Sequence, residues 1–179
     1  MDRTLLVVVI SCMLAVGAAA GDTTLGAEKK PAMSSSPAIE IHPIGIVHRQ
    51  DDRAIIDLRP ELAPALKGLS GFSHVWVIYW FHENDRPEER AILQVHPRRN
   101  PANPLTGVFA SRAPVRPNLI GFTSCRIISV KKNILEVESL DAREGSPVLD
   151  LKPYIPEGDA IPEAQVPAWV KTRRGNTDK

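Results

Sequence analysis

The sequence predicts an all-β fold, a single-sheet β-barrel with one short helix and irregular N- and C-terminal arms. Three observations carry that prediction. From Ile39 onward short β-rich segments recur between Gly, Pro and Asn residues, one stretch alone has helical spacing, and no internal repeat is visible. Short strands at that density present many edges unless the sheet closes on itself. The 179 residues are 43% hydrophobic and 24% charged, enough for one ordinary core. That composition excludes disordered, collagen-like and disulfide-rich classes.

The elements follow in order. Ile39–Val47 alternates roughly, with Pro43 and Gly45 marking an edge or bulge, and Ala54–Leu58 is a second short strand. Pro60–Leu69 is the helix: Pro60 suits a first turn, Leu62, Ala65, Leu66 and Leu69 share a face, and Gly71 stops it. His74–Phe81 (HVWVIYWF) is apolar at every second position on both faces and reads as a central buried strand. Ala91–His96, Val108–Ala110, Gly121–Val130, Ile134–Ser139 and Val148–Leu151 complete the set, with Lys131-Lys132-Asn133 as a hairpin turn. The arm from Glu157 is spaced by prolines, with Trp169 expected on the core and a basic tail over 171–179.

The N-terminus has a different character. Residues 1–20 run from a short charged start through Leu5–Ile10 to Ala18-Ala19-Ala20, the pattern of a signal peptide, and 21–38 is a polar, flexible leader. Val9-Ile10-Ser11-Cys12 also has the look of a lipoprotein box, but the apolar run continues beyond it. Export is one expectation; a cytoplasmic start at Met33 is the other. No membrane attachment is expected after cleavage. Of the two cysteines only Cys125 lies beyond the leader, so no disulfide within the remaining chain is expected, and Cys125 sits in an apolar strand pattern.

Net charge is +1, yet its distribution is uneven. Between Arg90 and Leu135 no Asp or Glu occurs, while Arg90, Arg98, Arg99, Arg112, Arg116, Arg126, Lys131 and Lys132 do, which predicts one positive face suited to a polyanion. Within GVFASRAPVRPNLIG (107–121), Pro114 and Pro117 stiffen the backbone around Arg112, Arg116 and Asn118, so their heads are presented at low entropic cost. Pairing of these arginines with Asp141 or Asp150 is the structural alternative. SLDAREGSPVLDLKPY (139–154) is expected to gather Asp141, Asp150, Lys152 and Tyr154. His82-Glu83, leaving the apolar strand, can form a site wall. The five histidines have no metal-ligand spacing, so no metal site is expected. No Walker loop, G-x-G-x-x-G or nucleophile elbow occurs.

Gly71-Phe72-Ser73-His74 with Trp76, Phe81-His82, the 107–121 segment and Ser139–Pro156 together resemble the YaeB/TsaA-like family, the TrmO-type tRNA methyltransferases, from about Ile41 to Trp169. The resemblance implies a β-barrel domain over 39–170, usually dimeric. It also implies S-adenosylmethionine-dependent methylation of the exocyclic N6 of threonylcarbamoyladenosine beside the tRNA anticodon. It assigns the cofactor to His82, Glu83, Arg112, Phe122, Glu138, Ser139, Leu140 and Asp141. Candidate RNA-facing residues are Arg116, Asn118, Lys131, Lys132, Asp150, Lys152 and Tyr154, with the anticodon stem-loop as partner; no catalytic base is assigned.

The sequence departs from the family pattern at three places. Ser111-Arg112-Ala113-Pro114 and Arg116-Pro117-Asn118-Leu119-Ile120-Gly121 stand where the family has SRSP-like and RPNPIG segments. Glu83 replaces a common glutamine, and the first loop is shortened to His48–Arg53, leaving Arg49 or Gln50 to fill its place. The competing reading is an exported barrel of this type that binds a nucleoside-like or anionic ligand without catalysis.

Overall fold

A computed structural model describes residues 39–171. The segments 1–20 and 21–38, read as signal peptide and leader, and the tail beyond 171 lie outside the described residues.

Six strands form a closed antiparallel barrel in the order β1-β2-β7-β6-β3-β8. They are β1 (Gly45–Gln50), β2 (Arg53–Leu58), β3 (His74–Trp80), β6 (Ile120–Lys131), β7 (Ile134–Glu138) and β8 (Pro147–Pro153). A separate two-stranded ribbon, β4 (Gln94–Val95) with β5 (Thr106–Gly107), stands beside it. Alternate residues point inward, so Val47, Ile56, Val75, Val77, Cys125, Leu135, Val137 and Val148 are all fully buried. Leu66 and Leu140 are buried with the same core. The barrel interior is therefore packed by side chains. Burial pushes the Cys125 thiol up to about 12, which keeps it protonated and unreactive.

Several elements differ from the sequence reading. Pro60–Leu66 and Leu69–Gly71 are 3-10 turns instead of one α-helix. Pro64 lies inside the first turn, where it removes a backbone donor and crowds the preceding carbonyl. Val108–Ala110 is also a 3-10 turn, and the strand lies just before it at Thr106–Gly107. Strand β1 begins only at Gly45, after Pro43. Ala91–His96 contributes two strand residues. In β3 the second face is half-buried: Val75, Val77 and Tyr79 face the core, while Trp76, Ile78 and Trp80 line the outer wall. The remaining helices, α1 (Pro87–Arg90), α2 (Pro156–Asp159) and α3 (Ala168–Lys171), are single turns. None of the described helices is long and apolar enough to cross a membrane.

Candidate functional site

One end of the barrel carries a cleft of about 260 Å³ between the exit of β3, the loop after β7 and the 112–114 segment. Tyr79, the last inward residue of β3, forms its floor. Its phenol donates to the Asp141 carbonyl at 2.7 Å, and Thr123 Oγ1 lies at 3.4 Å. Burial raises the Tyr79 pKa above its ordinary 10.0, so the hydroxyl remains a donor. Phe81 meets Tyr79 edge-on at 5.4 Å, and both rings close over Gly121. A Cβ at Gly121 would lie 2.7 Å from atoms of Tyr79 and Phe81, so only glycine leaves the two aromatics in place.

Polar groups ring this floor. His82 Nδ1 stands 3.3 Å from the hydroxyl of buried Ser146, which follows Gly145 at φ +74, a left-handed turn suited to glycine. Glu83 forms an ion pair with Arg143. Asn84, Arg99, Arg112 and Asp141 complete the lining. The Arg112 guanidinium lies over the Phe122 ring at 5.1 Å and, among the described residues, pairs with no carboxylate. The alternative pairing of Arg112 or Arg116 with Asp141 or Asp150 is absent among the described residues; Arg116 donates to the Ala113 carbonyl at 3.4 Å.

The loop after β7 is braced from the first hairpin. Arg49 Nη1 donates to the Leu140 carbonyl at 2.6 Å, so the first hairpin reaches this loop through Arg49. Glu144 accepts from the Arg49 amide at 2.6 Å and contacts His48 Nδ1 at 3.0 Å. The Arg49 amide bond and His48 hold its carboxyl below the usual range.

Of the residues that the family resemblance assigns to the cofactor, the structure gathers His82, Glu83, Arg112 and Asp141 around one cleft. Phe122 lies on the outer wall beneath Arg112. Glu138 also faces outward, 3.3 Å from Arg126. Ser139 adopts φ +63, and Leu140 is buried, so these two shape the loop more than they line it. Tyr79, Asn84, Arg143 and Ser146 escaped the sequence reading as site residues, while Phe81, Arg99 and Pro114 entered it without a place in this cleft. Arg143, inside SLDAREGS, and Asn84, next to Glu83, were the detectable ones.

The RNA-facing candidates are dispersed. Asp150 pairs with Lys152 at 2.9 Å on the outer wall of β8, and Tyr154 packs on Trp76 at 5.6 Å, so this trio does not join Asp141. The reason is the strand period: Asp150 and Lys152 pair with Ile78 and Trp76, which face outward. Lys131 and Lys132 occupy the opposite barrel end, since β6 begins at the cleft and runs on the order of 35 Å to Lys131. Asn118 is exposed and lines neither the cleft nor the groove beside it.

The charge stretch is likewise divided. Arg126 pairs with Glu138 and Arg90 with Asp85, leaving Arg99 and Arg112 at the mouth and, together with Arg98, along a second groove. The single positive face expected from the sequence is thus a basic mouth plus a separate lysine turn. No cluster of metal-ligating side chains occurs among the described residues.

Comparison with known proteins gives this geometry a context. A family model described as the tRNA-methyltransferase O N-terminal domain matches residues 34–160. A probable S-adenosyl-L-methionine-binding protein of Pyrococcus horikoshii is 40% identical over 115 residues, covering 64% of this chain and 82% of that protein. The tRNA (adenine(37)-N6)-methyltransferase of Homo sapiens is 44% identical over 96 residues, 54% of this chain but 21% of that one. The crystal structure of TrmO from Pseudomonas aeruginosa superposes with a TM-score of 0.56 at 30% identity, covering 72% of this chain. The chain spans about three-fifths of the solved TrmO chains, 62% in that case. On the extent of these matches, the chain belongs to the TrmO N-terminal domain family.

Proposed function

We propose that this protein is an S-adenosylmethionine-dependent methyltransferase acting on the N6 of the threonylcarbamoylated adenosine beside the tRNA anticodon. The observation that carries the reading is the mouth cleft, where cationic, anionic and apolar groups meet as a zwitterionic nucleoside requires. Arg112 offers donors to a carboxylate, Asp141 offers an acceptor to an amino group or ribose beside the Glu83–Arg143 pair, and Tyr79, Phe81 and Pro114 offer apolar surface to a base. The residues present therefore fit the group. When bound, S-adenosylmethionine supplies an electrophilic methyl on sulfur, whose transfer forms an N–C bond, breaks an S–C bond and leaves a thioether and one proton.

The chain's own part is positioning and charge. Arg49 and Tyr79 fix the main chain at Leu140 and Asp141 from opposite sides, so the acceptor wall does not relax when charge shifts. His82 is held in the wall of the cleft, its Nδ1 beside the Ser146 hydroxyl at 3.3 Å. The phenol of Tyr79 remains neutral and avoids placing a second negative charge beneath Asp141.

Two further expectations join this proposal. From the charge distribution, Lys131 and Lys132 contact phosphates of the tRNA stem far from the mouth; from the family resemblance, the protein works as a homodimer. Transfer of labelled methyl from S-adenosylmethionine to tRNA tests the reading. Label should enter threonylcarbamoylated tRNA and not tRNA lacking that group. Donor binding without transfer to any tRNA would favour the non-catalytic alternative.

A further inference from the structure

The second groove, of about 1170 Å³, adjoins the mouth cleft and shares Arg99, Arg112 and Pro114 with it. It runs between the 97–99 turn, the 110–115 segment and the C-terminal arm. Its size exceeds the range of about 300–1,000 Å³ usual for a single small ligand. Three guanidiniums, Arg98, Arg99 and Arg112, line it together with half-buried Trp169, and its lining contains no carboxylate.

Backbone strain lies at this groove. Arg98 and Arg99 are consecutive non-glycine residues in the left-handed region, φ 60 and 54. Such a pair persists only where its surroundings enforce it. Here Pro97 is buried and its carbonyl accepts from Asn103 at 2.8 Å, while Arg98 donates to the Val170 carbonyl at 3.2 Å. The turn thereby aims Arg99 toward the cleft and fastens the arm that carries Trp169.

We propose that this groove carries the single-stranded RNA flanking the methylated base, a path that rests on the methyltransferase reading above. Arg98 and Arg99, in a lining without carboxylates, suit phosphates while Arg112 serves the donor at the mouth, and an aromatic ring beside prolines suits unstacked bases. An acidic peptide would use the arginines and leave Trp169 without a role. The continuity of groove and cleft lets one strand place its base at the mouth while its neighbours lie along the groove.

The test uses the full chain, S-adenosylmethionine by calorimetry, and a labelled single-stranded oligoribonucleotide of about eight residues, within the usual site size. Trp169→Ala should weaken oligoribonucleotide binding about tenfold, the effect of losing one stacked base, and leave donor affinity unchanged. Val166→Glu, an exposed change on the same wall, should weaken it comparably through charge. Unchanged RNA affinity in both variants would overturn the path, as would equally tight binding of a glutamate-rich peptide. Parent protein that binds the donor but no oligoribonucleotide removes the groove alone. Parent protein that binds neither removes the methyltransferase reading as well.

Discussion

Tyr79 reaches across the barrel mouth to the main-chain carbonyl of Asp141, 2.7 Å from its hydroxyl. One hydrogen bond thus joins the exit of β3 to the loop after β7, the two walls between which the cleft opens. From the other side Arg49 holds the adjacent carbonyl of Leu140. The acceptor wall of the site is built by main-chain anchoring, which holds the backbone from which the Asp141 carboxylate projects.

Tyr79→Phe removes that anchor and leaves the carbonyl without its protein donor. Urea unfolding should show a loss of about 1 kcal/mol, the usual net worth of such a bond. The variant also has a pH signature. Burial raises the folded-state pKa of Tyr79 above its ordinary 10.0, so its contribution is complete below pH 10.0 and is lost as pH rises through the folded value. Midpoints measured across that range should fall more steeply for the parent than for the variant.

Gly121→Ala inserts a methyl into space occupied by Tyr79 and Phe81, 2.7 Å away. Overpacking of this kind costs about 1–3 kcal/mol. Because the displaced ring is the one that holds Asp141, donor affinity should fall along with thermal stability. Stability lost with donor affinity intact would separate the floor of the cleft from its function.

Lys131→Ala combined with Lys132→Ala tests the distant end of the barrel. If both lysines contact stem phosphates, the slope of log affinity for tRNA against log salt should fall by about 2, with donor affinity unaltered. An unchanged slope removes this turn from the RNA path.

The barrel was legible because short β-rich segments recur between turn residues, and their inward positions, such as Val75, Val77 and Tyr79 or Leu135 and Val137, are filled by apolar side chains. Pro60–Leu69 misled because apolar spacing alone does not register Pro64, which turned the segment into 3-10 turns. The cleft was half legible. His82, Glu83, Arg112 and Asp141 converge as the resemblance implied, whereas proximity in sequence wrongly grouped Asp150, Lys152 and Tyr154 with Asp141. Strand alternation sends Asp150 and Lys152 outward, and a register shift at Ile78/Tyr79 hides that direction from simple counting. Arg99 was invisible as a site residue, since its approach depends on a left-handed turn that no composition signals.

Calorimetric titration of S-adenosylmethionine into the parent protein and Arg112→Ala tests the cleft most directly. Arg112 is exposed, carries no carboxylate partner among the described residues and rests on Phe122, so its removal should leave the barrel folded. The cleft as described predicts saturable binding to the parent and none to the variant at the same concentrations. Equal heats from both proteins, or no heat from the parent, would contradict it.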